Sequence, residues 1–421
     1  MDRQLAATVI ATFRDADAAQ HKERLKRFSA RRWQRNFRWL DASGLALYFL
    51  QALRTRNIED AAPAVVLSQL ERRYNSNRQR TAFLFEEFAR IDTAFRKACV
   101  AYVNLKGFTL VPDYCPDLSL RYQMDCDFLI AKRDASKCAG VLASLGYSLI
   151  ATNDHVMEFK TDDGRTPHLR DLYKSKPQKS VELHVCDEAR FDSHPELLRR
   201  SRVMTMNGYS YPALSREDMF LSQALHLCGH FRSEWTRISW LLEFRRFVRE
   251  HADDDSFWQE IGARAEHEND CTLAVGMAAR MAQKAFGELG ADRLTNWPLP
   301  APVALWIDRY GDDVLLADFP GSKLYLLLES AICGEQSASE IRRRLLPRSA
   351  PAPVVAAPSA GLGKRILAAA ARWGYYFFRL RFHLRAGSRY LVASWHWKRL
   401  GKVQDANQAS RSSGCVADVA D

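Results

Sequence analysis

Two aspartates one residue apart, Asp125 and Asp127 in the stretch RYQMDCDFLI, run into apolar residues that would otherwise bury themselves. On an extended strand successive side chains alternate, so both carboxylates take one face while Cys126 and Phe128 take the other. Two ionised groups side by side repel and resist desolvation unless something positive stands between them. The stretch SVELHV repeats the pattern, with Glu182 and His184 on one face and Val181 and Leu183 on the other. If the two strands are neighbours, three carboxylates converge. Such a set suits a hard divalent ion such as magnesium, or manganese in its place, that keeps open positions for substrate phosphates.

Upstream, Lys106 and Gly107 stand at the end of a predicted strand. There an ammonium and backbone N–H groups can meet phosphate oxygens. Together these parts fit nucleotidyl transfer from a nucleoside triphosphate. Arg121 has two readings, a contact to phosphate and an ion pair with Asp125. His184 also has two, a contact to nucleotide and a packed, hydrogen-bonded partner of Glu182. His226 and His230 share one helical face, but Leu227 stands where a metalloprotease helix has glutamate, so a packed or pocket-facing role is favoured over zinc.

These groups need a sheet to aim them and helices to cover it. Residues 1–100 carry apolar residues three and four apart with charges between, the pattern of an N-terminal helical region. From 101 to 212 the texture changes to short runs, AYVNL, DCDFLIA, YSLIAT, VMEFKT and SVELHV, with one helix ending near Gly146. The expected fold is therefore α+β, a small mixed sheet flanked by N-terminal and C-terminal helical regions. The polar stretch TDDGRTPHLRDLYKSKPQK between two of the runs is expected to be a loop. A second helical region covers 213–346, with Ser215 placed to cap its first helix. A Pro/Ala-rich linker follows at 347–363, then a basic amphipathic helical segment at 364–403 and a disordered tail at 404–421.

The chain of 421 residues is 47% hydrophobic and carries a net charge of +11. This composition excludes wholesale disorder. Nine cysteines are scattered singly, which argues against a zinc motif or a redox dithiol. The first residues lack the apolar core of a signal peptide, and no segment offers the roughly 18 uncharged apolar residues of a membrane span. The expected location is the cytoplasm. From Ile341 to Val403 the sequence has fourteen Lys and Arg and no Asp or Glu, so the basicity belongs to the C-terminal end. Ile366, Trp373, Phe377, Leu380, Leu384, Leu391 and Trp395 fall near one helical stripe flanked by arginines. Through 364–403 the chain has the character of a surface for anionic membrane or nucleic acid, or of a helix docked on the protein itself.

The order LKG, then Arg-x-x-x-Asp-x-Asp at Arg121, Asp125 and Asp127, then VELH, then SREDMFLSQALHLCGHF and RISWLLEF, resembles the bacterial uncharacterised nucleotidyltransferase family, a branch of the DNA polymerase β-like superfamily. The likeness runs from WQRNFRWLDASGLALYFLQAL to about residue 290. It implies Asp125 and Asp127 as metal ligands, and Glu182 as a third carboxylate that binds metal or takes the proton of an incoming hydroxyl. Lys106 and Gly107 would replace the Gly-Ser phosphate loop of the wider superfamily, which changes one phosphate contact from hydroxyl to charge. The expected activity is magnesium-dependent transfer of a nucleoside monophosphate from a triphosphate to a hydroxyl acceptor, with release of pyrophosphate. The alternatives are a degenerate member that binds nucleotide or a partner without turnover, and a nucleic-acid or membrane-surface binder that works through its basic segment.

Overall fold

The structure is a computed structural model that describes residues 1–153, 155–161, 172–268, 270–334, 338–345 and 362–414. The chain divides into two compact units, Met1–Gly229 with Thr236–Pro300, and His230–Trp235 with Ala301–Asp421.

In the first unit four short helices, Arg3–Ala11, Ala18–Lys26, Ala30–Ser43 and Ala46–Thr55, lead to the 34-residue helix Ala64–Lys97. Pro63 precedes that helix, where its missing N–H is no loss. Leu84, Phe88, Ile91 and Phe95 recur at helical spacing and are buried against the sheet. The same stripe also carries Asn77 and Arg80, both buried. They matter for the site.

The sheet has seven strands, β1 Tyr102–Asn104, β2 Cys126–Ile130, β3 Tyr147–Thr152, β4 Val156–Thr161, β5 Ser180–Val185, β6 Arg202–Met206 and β7 Tyr209–Ala213, in the order β3-β4-β5-β2-β1-β7-β6. β2 runs parallel to β5 and β1 parallel to β7, while the other neighbours are antiparallel. One face of β2 and β5 presents Cys126, Phe128, Ile130, Val181 and Leu183 to the long helix and to the helix Ala135–Ser144, forming the core. Phe88 and Phe95 stack on and edge into Phe128 at centroid distances of 6.1 and 5.2 Å. Burying such rings contributes roughly 2 kcal/mol each. The opposite face is left for polar groups.

The five strands expected from sequence form. The hairpin β6–β7 was not anticipated; its turn is Asn207-Gly208, both at positive φ (51° and 76°), the pairing that two-residue hairpins favour. Beyond it lie the helices Arg216–Phe231, Ile238–Glu250, Asp255–His267 and Cys271–Phe286. Ser215 Oγ accepts the Asp218 N–H at 3.1 Å, the expected cap.

The second unit is helical, with Ala301–Leu315, Tyr325–Cys333, Ala338–Leu345 and Leu362–Gly414. Buried Lys323 donates to the carbonyls of Arg344 and Leu345 at 2.6 and 2.9 Å, which neutralises the end of Ala338–Leu345. The last helix runs to Gly414, and residues 415–421 of the expected tail lie outside the described residues. The linker read at 347–363 lies outside the described residues except for its last two, which open this helix, and residues 162–171 of the polar loop also lie outside them. No helix among the described residues is long and apolar enough to cross a membrane.

Candidate metal centre

The parallel register of β2 and β5 sets Asp127 opposite Glu182 and Leu129 opposite His184. Opposed residues share a face, so the alternation read from each strand places Asp127, Glu182 and His184 together. Ligand atoms of these three lie within 4.8 Å of one another. His184 Nε2 stands 3.3 Å from Asp127 Oδ1 and 3.6 Å from Glu182 Oε2. Lys106 Nζ approaches the same Asp127 oxygen at 3.4 Å. Asp125 stands outside the three-residue set, one residue ahead of β2.

The electrostatics are those of crowded carboxylates. Burial together with the charges of Asp127 and Glu182 pushes the Asp125 carboxyl up to about 7, and Lys106 and Arg121 only partly offset this. Burial also opposes the charge of Asp127, but Lys106 and a hydrogen bond from His184 hold that carboxyl well below its usual range. His184 is raised: burial works against its cationic form, and hydrogen bonds to Asp127 and Glu182 outweigh it. Lys106 is raised likewise, with Asp127, Asp125 and Glu182 overcoming its burial. A divalent ion among these oxygens would relieve the repulsion, and two carboxylates with an imidazole form a donor set that such ions accept. The residues fit a metal.

The approach to Asp125 is fixed from the long helix. Asn77 Nδ2 donates to the carbonyls of Ser119 and Arg121 at 2.8 and 3.0 Å, and Arg80 donates twice to the Gln123 carbonyl at 3.2 and 3.0 Å. Arg237 adds a bond to the Tyr122 carbonyl at 3.3 Å. Each buried carbonyl that stays paired avoids a cost of about 1–3 kcal/mol. Gln123 Nε2 in turn donates to the Asp125 carbonyl at 2.9 Å and lies over Gly107. Gly107 has φ +65°, a conformation that favours glycine, and a Cβ there would sit 2.4 Å from Gln123 Nε2 and push that amide aside. Lys106 precedes it, followed by the 3-10 turn Gly107–Leu110.

Arg121 points elsewhere than either reading of it supposed. Its Nε pairs with Glu243 Oε2 at 3.3 Å on the helix Ile238–Glu250, and Tyr48 Oη donates to the other oxygen of Glu243 at 2.8 Å. Arg121 acts on Asp125 only through its field. His226 packs edge-on to Trp240 at 4.6 Å and also lowers Asp127 through its charge. His230 falls in the other compact unit, with Nδ1 3.4 Å from the Trp235 carbonyl.

The residues that sequence reasoning missed here are Asn77, Arg80, Gln123, Arg237 and Glu243. For Asn77 and Arg80 a signal existed: polar residues on the apolar stripe of a helix must find buried partners.

A family model described as an uncharacterised nucleotidyltransferase matches residues 29–287. No curated protein matches. The solved structures that match include an antigenic nucleotidyltransferase-like protein from Paracoccidioides brasiliensis, at 13% identity, over 44% of this chain and 88% of that one, with a TM-score of 0.28.

Proposed function

Because the chain belongs to the uncharacterised nucleotidyltransferase family, we propose that it transfers a nucleoside monophosphate from a triphosphate to a hydroxyl-bearing acceptor. The observation that carries this reading is the convergence of Asp127, Glu182 and His184 on one point of the sheet face, with Asp125 beside them. Asp127, Glu182 and His184 would hold magnesium or manganese, and Asp125 would join as it loses its proton. When bound, the metal neutralises phosphate charge and lowers the pKa of an attacking hydroxyl. The acceptor oxygen forms a bond to the α-phosphorus, the bond to the pyrophosphate bridging oxygen breaks, and pyrophosphate leaves. Glu182 is the candidate to receive the acceptor proton, being the more exposed of the two register-paired carboxylates, at 30% against 5%. Lys106 lies where an ammonium can shift from Asp127 to a phosphate oxygen.

One observation favours a second reading, nucleotide binding without turnover. Arg121 is engaged by Glu243, which removes a cation that sequence alone offered to the phosphates. The test that separates the two uses triphosphates labelled at the α-phosphate, with magnesium or manganese and candidate hydroxyl acceptors. Label appearing in a product with wild type, and not with Asp127→Asn, supports transfer. Metal-dependent binding with no transferred label supports the second reading.

A further inference from the structure

Among the described residues, the terminal helix Leu362–Gly414 carries two apolar faces, one buried and one exposed. Phe382, Ala386, Tyr390 and Ala393 recur at helical spacing and are buried in the second unit. Tyr310 Oη donates to the Ala393 carbonyl at 3.2 Å, and Arg389 pairs with Asp313 at 2.5 Å on this docked side. Roughly half a turn away runs a second stripe: Trp373, Phe377, Leu380, Leu384, Leu391 and Trp395. These six side chains are between 51% and 74% exposed. At 1.5 Å per residue the stripe is about 33 Å long. A row of this size on a soluble surface marks an interaction site.

Charge selects the occupant. Arg381, Arg385, Lys398 and Arg399 are exposed beside or on the stripe, Arg399 lying 3.6 Å over the Trp395 ring. No acidic residue occurs from Ile341 to Val403. A second copy of the helix would bring like charges together, and Gly387 and Ser394 interrupt the seam it would need. A nucleic acid would want the cations central, yet Leu and Phe occupy the centre and the cations its margins. Apolar residues between indoles, with basic flanks, match the boundary of an anionic bilayer, where the stripe enters the acyl region and the guanidinium groups meet headgroup phosphates.

We propose that the exposed stripe from Trp373 to Trp395 lies in the surface of an anionic membrane and holds the protein there peripherally. Full-length protein is sedimented with vesicles of phosphatidylcholine alone and of phosphatidylcholine mixed with phosphatidylglycerol. Wild type is expected to sediment with the mixed vesicles, to remain in solution with the neutral ones, and to release as salt rises. Leu380→Glu with Leu384→Glu changes only exposed positions and is expected to abolish sedimentation while circular dichroism stays unchanged. Arg381→Gln with Arg385→Gln is expected to weaken it by about thirtyfold. Three results would overturn the proposal: wild type left in solution with the mixed vesicles, undiminished binding by the Glu pair, or self-association of wild type that the Glu pair abolishes.

Discussion

His184 Nε2 stands 3.3 Å from Asp127 Oδ1, on neighbouring parallel strands whose register pairs Asp127 with Glu182. This imidazole and the Lys106 ammonium are the basic groups closest to the paired carboxylates, and both are raised by them. A metal bound among them would compete with protons for His184 and, beside it, Asp125.

Metal affinity is accordingly expected to rise with pH between about 6 and 8. Crowding pushes the Asp125 carboxyl up to about 7, so it loses its proton across that window, and His184, raised by its hydrogen bonds to Asp127 and Glu182, adds to the protons released. Calorimetric titration of manganese in buffers of different ionisation enthalpy reads the protons released. Binding that neither tightens with pH nor releases protons would exclude these two groups.

Asp125→Asn is expected to stabilise the metal-free protein at pH 8. The folded-state pKa of Asp125 is raised from 3.8 to about 7. Its contribution is thus fully present below 3.8 and is lost as pH rises through about 7. An amide carries no such loss, so the variant's melting temperature should exceed wild type at pH 8 and converge with it near pH 4. A melting temperature equal to or below wild type at pH 8 would contradict the assigned crowding.

Replacing His184 with alanine separates a ligand from a bystander. Loss of one donor should weaken manganese binding by about tenfold or more, with little change in the folded baseline. Unchanged affinity would leave the two carboxylates as the whole site.

The Tyr48–Glu243–Arg121 chain predicts unequal costs. Glu243→Gln leaves the buried Arg121 guanidinium without its counter-charge and should cost about 3–5 kcal/mol in urea denaturation. Tyr48→Phe removes one neutral donor from Glu243 and should cost about 1 kcal/mol. Equal small losses would mean that Arg121 finds another partner.

Much of this was legible in the sequence because strand alternation is local. Glu182-x-His184 declares its shared face within a single strand, Asp127 declares its own face through its apolar neighbours, and Phe128 and Leu183 declare which side is core, whereas Asp125 falls one residue ahead of β2. What was not legible is set by distant partners. Nothing near Arg121 in the chain says that it meets Glu243, 122 residues later, before it can meet Asp125. Nor does local spacing show that His184 stands closer to Asp127 than to its own strand-mate Glu182. The β6–β7 hairpin did leave a local mark in Asn207-Gly208, but its apolar pattern misleads, since Val203 is exposed opposite Pro212, a residue that strands disfavour. For the terminal helix, period alone identifies a stripe without saying whether it is the docked one. Phe382, Ala386, Tyr390 and Ala393 form the buried row, and the larger row at Trp373 to Trp395 is left outside.

The most direct test of the metal centre is calorimetric titration of each nucleoside triphosphate into the protein, with and without magnesium, beside the double variant Asp125→Asn, Asp127→Asn. The site described here predicts binding that requires the metal and is lost in the double variant, whose fold persists by circular dichroism. Binding that ignores the metal, or survives unchanged in the double variant, would contradict it.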